Sequence, residues 1–181
     1  MRVILPAEPL NDGATALRPW RDSDLKALVA ACQDPEIGRW TAVPFPYGES
    51  DGRAYLLHRY DAVAAGVAAP FAVVASSDGA LLGSIALNHL EWRHARAELG
   101  YWLAKDARGH GHATRAVRRI CRWGFEVLGL ERLELMAATA NHASQRVAER
   151  SGFTREALLR SYMRGREGRQ DMFAYGLLAS D

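Results

Sequence analysis

The sequence predicts an α+β domain built on one mixed, mostly antiparallel sheet of about seven strands flanked by about four helices, spanning residues 1–181. Three observations carry that reading. Apolar runs of strand length fall in pairs around turn residues. The clearest are Phe71 to Ala75 and Leu81 to Asn88, separated by Ser76-Ser77-Asp78-Gly79, whose Asp-Gly pair is a hairpin signal. One long stretch, from about His112 to Leu128, repeats at helical spacing. It sets Ala113, Val117, Ile120, Cys121, Gly124 and Leu128 on one face, and Arg115, Arg118, Arg119, Arg122 and Glu126 largely on the other. That helix joins two further strand runs, Ala97 to Leu103 and Leu133 to Ala138, and a helical crossover suits parallel pairing of the two.

The remaining elements follow from turn and cap chemistry. Residues 1–14, with Pro6, Pro9 and Gly13, read as a loose arm leading into a strand from Thr15 to Arg18 that Pro19 closes. Asp22 or Ser23 caps a helix running to about Cys32 with Leu25, Leu28 and Val29 as its buried stripe, and Asp34-Pro35 breaks it. Between Glu36 and Gly48, Trp40, Phe45 and Tyr47 stand among Pro44, Pro46 and Gly48. This is a loop whose aromatics either pin it to the core or line a pocket. A second helix runs from roughly Ser50 to Ala65. Gly129 ends the long helix, Asn141 begins another that stops at Gly152, and Ala157 to Arg164 with Gln170 to Leu178 form a last hairpin around Gly165-Arg166-Glu167-Gly168-Arg169.

Composition narrows the class. With 181 residues, 49% of them hydrophobic, the chain can bury one sizeable core. The 23 Lys and Arg against 21 Asp and Glu give a net charge of +2, too small to announce a nucleic-acid partner. Cys32 and Cys121 imply no disulfide framework, and Cys121 lies on an apolar helix face as a small hydrophobe would. No 18-residue apolar stretch and no signal-peptide pattern occurs, so a soluble cytoplasmic protein with no membrane partner is expected.

The stretch Arg108-Gly109-His110-Gly111-His112-Ala113-Thr114 carries the most chemistry. It lies between a strand and the long helix, and its small residues leave several helix-start N–H groups able to point at one phosphate, with Arg108 adding positive charge. It lacks both the Gly-Lys-Ser/Thr ending of a nucleotide P-loop and the Gly-x-Gly-x-x-Gly dinucleotide spacing. A strand-to-helix turn with no ligand is the alternative reading. No Cys or carboxylate completes a metal site around His110 and His112, and no metal is expected.

The pattern Arg108-x-x-Gly111-x-Ala113 resembles the coenzyme A pyrophosphate loop of the GNAT superfamily of N-acetyltransferases. Glu98-Leu99-Gly100-Tyr101-Trp102, Asn141-x-x-Ser144, Gly152-Phe153 and Asp171-Met172-x-x-Tyr175 extend the resemblance to its RimJ/RimL-like branch, from about residue 15 to 178. The resemblance implies a twisted sheet that splays between its two central parallel strands to take acetyl-CoA, the co-substrate. It implies as cofactor-binding residues Leu103, Lys105, Arg108, Gly109, His110, Gly111, His112, Ala113, Thr114, Asn141 and Ser144. The implied activity is direct acetyl transfer to a primary amine. A protein or peptide N-terminus is the first expectation, and a polyamine or aminoglycoside, or a succinyl donor, the alternatives. A reading of another class is a non-catalytic coenzyme A sensor or ribosome-associated module.

Within that resemblance Glu98 takes the role of base, directly or through water, and Ser144 that of stabilising the departing thiolate. The place seven residues after Asn141, where many relatives carry a tyrosine, is Ala148 here. Backbone N–H groups at the end of the Glu98 to Leu103 strand would polarise the carbonyl oxygen. Trp40 and Tyr101 are expected on the acceptor. The carboxylate that some branch members place after Gly-Phe has no counterpart in Ser161-Tyr162-Met163, which leaves Glu98 as the fallback base, the alternative being a structural carboxylate holding neighbouring backbone; a carboxylate base is weak without burial or a water relay. Arg155, Arg160, Arg164, Arg166 and Arg169 gather near the last hairpin, either as a solvated surface or as a site for an acidic ligand or RNA, and the hairpin edge could pair in a homodimer.

Overall fold

The computed structural model describes residues 3–166 and 168–181. In chain order the elements are β1 (Leu10–Asn11), β2 (Thr15–Arg18), α1 (Leu25–Ala31), α2 (Pro35–Trp40), α3 (Glu49–Ala64), β3 (Ala69–Ala75) and β4 (Leu81–Glu91). There follow β5 (Arg96–Leu103), α4 (His112–Glu126), β6 (Arg132–Ala138), α5 (His142–Arg150), β7 (Thr154–Gly165) and β8 (Gly168–Leu178). The strands form one sheet in the order β1-β2-β3-β4-β5-β6-β8-β7. Every junction is antiparallel except β5–β6, which the α4 crossover makes parallel.

Two expectations are corrected. The sheet has eight strands rather than about seven, because the arm read as loose carries β1: Leu10 pairs with Leu17, and Val3 is buried. A two-residue strand is too short to alternate visibly. There are five α-helices rather than about four, because Asp34-Pro35 does two jobs. It ends α1 and it also starts α2, with the Asp34 carboxylate accepting the Glu36 N–H at 3.1 Å and Pro35 in the first turn.

The sheet separates two apolar layers. On β5, Ala97, Leu99 and Leu103 pack with Val117 and Ile120 of α4, whereas Trp102 packs on the other face with Leu28 of α1 and Leu56 of α3. The face of α4 read from the sequence is wider than expected, since Ala116 and Trp123 are buried too. Trp123 meets Phe71 of β3 edge-on at 5.2 Å between ring centres. Both cysteines are buried, and burial pushes each thiol up to about 12. Among the described residues no helix is long and apolar enough to cross a membrane.

Candidate active site

The central parallel pair comes apart. β5 and β6 are in register only at Arg96↔Arg132, Ala97↔Leu133 and Glu98↔Glu134. Beyond that point β5 stays zipped to β4 as far as Leu103↔Gly83, and β6 stays zipped to β8 as far as Ala138↔Met172. Each strand therefore follows its antiparallel partner, and the backbone of residues 99–103 faces a gap without a strand opposite it. Backbone N–H and C=O groups in that position call for a partner.

At the open end of β5, Lys105–Ala107 forms a single 3-10 turn that leads into the glycine loop. Gly109 and Gly111 have φ of +83° and +81°, a region that charges L side chains with strain, and no atom lies within 4 Å of a Cβ built on either. Gly111 caps α4 without a side chain to accept its first N–H groups, which leaves those of His112, Ala113 and Thr114 without a side-chain cap before an open space. That geometry fits a phosphate group. Arg108 departs from the sequence expectation of a charge at the loop's mouth. Its Nε and Nη2 donate to the Leu103 carbonyl at 3.1 and 2.9 Å, and Nη2 lies 2.6 Å from Asp34 Oδ2, so it braces the end of β5 against the start of α2.

His112 Nδ1 lies 2.7 Å from Thr15 Oγ1. Partial burial, with His110 and Arg115 nearby, holds its pKa below the ordinary 6.5, so the ring is neutral in the fold at neutral pH. The His110 ring is 6.2 Å away between centres, and among the described residues no group of three His, Cys, Asp or Glu could hold a metal ion.

Across the gap, the Asn141 side chain caps α5 by accepting the Ser144 N–H at 3.1 Å. The Tyr101 hydroxyl, reaching from β5, donates to Ser144 Oγ at 3.2 Å. Burial pushes Tyr101 up to about 12, so it remains an O–H donor at neutral pH. The structure thus brings Tyr101, Asn141 and Ser144 together, while Ala148 lies on the buried face of α5. Glu98 sits at the closed end of the splay, paired to Asn88 and Glu134. Three residues from Tyr101 along a strand, it projects from the opposite face of the sheet, and it is not brought to Ser144.

A cleft of about 420 Å³ opens at the far end of β6. It is lined by Arg39 and Trp40 of α2, by Ala138, Thr139 and Ala140, and by Arg169, Gln170 and Asp171 of β8. Trp40 is held there by its indole N–H donating to Glu36 at 2.9 Å and by the Arg39 guanidinium 4.8 Å over its ring. Gln145 of α5 donates to the Ala138 and Thr139 carbonyls at 3.1 and 2.9 Å, tying this turn to the helix that carries Ser144. Sequence reasoning missed Arg39; Arg169 was read only in the arginine grouping near the hairpin, as a surface or a site for an acidic ligand, and Asp171 only within a strand motif, and the fold brings these two onto one cleft with α2. Asp171 accepts the Ser161 N–H at 2.6 Å, so β8 supplies a carboxylate beside the part of β7 that has none.

Comparison with known proteins agrees with this geometry. Residues 15–154 match the family model described as an acetyltransferase (GNAT) domain. The chain is 39% identical over 101 residues to YdaF of Bacillus subtilis, named a putative ribosomal N-acetyltransferase, covering 56% of this chain and 55% of that protein. It is 26% identical over 171 residues to the uncharacterized N-acetyltransferase p20 of Bacillus licheniformis, covering 94% and 96%. Among solved structures, RimL, a ribosomal L7/L12 α-N-protein acetyltransferase in complex with coenzyme A, superposes with a TM-score of 0.87 over 94% of this chain and 98% of that one. At 18% identity this last likeness speaks for the fold alone.

Proposed function

This chain belongs to the GNAT acetyltransferase family, and from that premise we propose that it transfers an acetyl group from acetyl-CoA directly to a primary amine, the N-terminal amine of a protein or peptide in the first place. The observation that carries the reading is the early end of β5–β6 pairing at Glu98↔Glu134. An edge of unpaired backbone can take an extended ligand as an added strand, which suits the amide-bearing arm of coenzyme A. The donor supplies an activated thioester carbonyl, and the chain supplies the rest.

The N–H groups of the loop from Gly109 to Thr114 hold the pyrophosphate, Leu103 and Lys105 flank the arm on one side, and Asn141 flanks it on the other. Tyr101 donates into Ser144 Oγ, which commits a lone pair of that oxygen and turns the serine's own hydrogen outward to the departing thiolate sulfur. A neutral tyrosine behind the serine makes that hydroxyl a better donor than it would be alone. Glu98 takes the ammonium proton from the other face of the sheet through water, which separates proton removal from thiolate stabilisation. Unpaired N–H groups of β5 stabilise the carbonyl oxygen as charge builds on it.

Thiol release from acetyl-CoA, followed with Ala- and Ser-initiated peptides, spermidine and an aminoglycoside, tests the proposal. Acceptor-dependent release that falls about tenfold or more in both Ser144→Ala and Glu98→Gln, with coenzyme A affinity retained, supports it. Unchanged turnover in both variants overturns the residue roles, and tight coenzyme A binding without release for any amine favours a binding module.

A further inference from the structure

We propose that the cleft at the end of β6 binds acceptors that carry an anion beside the amine, a carboxylate or phosphate one or two residue lengths away, and discriminates against polyamines. The inference rests on the acetyltransferase reading above and names the acceptor class for that site.

The lining supplies the charges. Arg39 and Arg169 border the cleft with Asp171, and Arg166 borders the adjoining hollow with Glu36 and Arg39. Glu36 is already engaged by the Trp40 indole N–H at 2.9 Å and by Arg39 at 3.4 Å. Arg166 and Arg169 donate to backbone carbonyls. Arg166 Nη2 reaches Val43 O at 3.0 Å and Arg169 Nε reaches Ser161 O at 2.8 Å, with no ion pair to a carboxylate among the described residues. Among the described residues neither guanidinium has a carboxylate counterion, and each has a planar fork suited to carboxylate or phosphate.

Among the described residues that line it, Asp171 alone gives the cleft the opposite charge, with one carboxylate oxygen spent on the Ser161 N–H. One carboxylate among arginines can face a single ammonium. An acceptor with two or more separated ammonium groups would set the second against Arg166 or Arg169, a repulsion that lowers its affinity, whereas an anion near the amine would meet them favourably. Trp40 adds an aromatic side chain to the lining of the cleft.

The test measures kcat/KM by thiol release for Ser-Asp-Asp, Ser-Ala-Ala and Ser-Lys-Lys peptides, for O-phosphoethanolamine against ethanolamine, and for spermidine. Measurements are made at low and high salt with wild type, Arg166→Gln and Arg169→Gln. The proposal predicts a preference of about tenfold or more for the acidic peptide over the basic one, shrinking as salt rises and in each arginine variant. Preference for the phosphoamine over ethanolamine assigns the site to small anionic amines; preference confined to the peptides assigns it to acidic N-termini. Arg169 also ties down Ser161, so a variant that loses the hairpin is read by its melting curve, and Arg166→Gln then carries the test. Turnover that favours spermidine or the basic peptide, or a preference that neither variant alters, overturns the proposal and leaves acetyl transfer standing. No release with any amine overturns the acetyltransferase reading and this one with it.

Discussion

On the α4 side of the gap, contiguous residues make the geometry, and on the α2 side two distant segments do. The loop from Arg108 to Thr114 runs straight into a helix whose Val117, Ile120 and Trp123 are buried in the main core. The opposite wall joins α2, the loop through Phe45 and the β7–β8 hairpin, and arginine side chains stitch it together. Arg166 reaches Val43 O at 3.0 Å and lies 5.2 Å over the Phe45 ring, which is itself 44% exposed. A wall fixed by local backbone and core packing suits the invariant half of a reaction, the donor. A wall fixed by long, charged side chains suits the half that varies between relatives, the acceptor.

Stability separates the walls first. Trp123→Ala removes a buried ring packed on Phe71 and is expected to cost about 3–5 kcal/mol, whereas Phe45→Ala, at a half-exposed loop position, costs less than about 1 kcal/mol. Denaturant unfolding of the two variants checks this, and similar losses would erase the contrast. Next comes the loop. Gly111→Val places a β-branched residue at φ +81° and is expected to weaken coenzyme A binding at least about tenfold in titration calorimetry. Trp40→Ala is expected to leave that affinity unchanged while raising KM for the amine.

A smaller effect marks the Tyr101–Ser144 contact. Tyr101→Phe should lower kcat by about three- to tenfold, and in Ser144→Ala the same change should add almost nothing, because the tyrosine acts through the serine. Independent, multiplicative losses would separate the two hydroxyls. The smallest effect is a pH dependence at the base of the loop. The folded-state pKa of His112 lies below its ordinary value, so the unfolded chain binds the proton first. The neutral ring's contribution is present above about pH 6.5 and is lost as pH falls through the depressed folded-state value. Thermal melts between pH 7 and pH 5 should therefore decline less steeply in His112→Gln than in wild type.

The contrast also explains what the sequence could reveal. Elements with many residues in one period were legible: α4 from its repeating apolar face, the β3–β4 hairpin from Asp78-Gly79, and the parallel β5–β6 pairing from the intervening helix. So were the loop glycines, whose positive φ follows from residue type, and the Asn141 cap. β1 was not, being two residues long, nor was α2, since Asp34-Pro35 signals an end as readily as a start. The cleft was legible in part, through Trp40 and the surplus of arginines near the hairpin, while Arg39 and Asp171 border it together only through the tertiary fold. Glu98 and Tyr101 were read together from one strand motif, yet strand alternation sets them on opposite faces.

Hydrogen–deuterium exchange of the amides of residues 99–103 and 109–114, with and without coenzyme A, tests the central claim most directly: that the unpaired half of β5 and the glycine loop together receive the donor. The account predicts fast exchange of the gap-facing β5 amides in the free protein, and protection of about tenfold or more in both segments once coenzyme A is bound. Protection confined to α2 and the hairpin, or binding without protection in either segment, would contradict it.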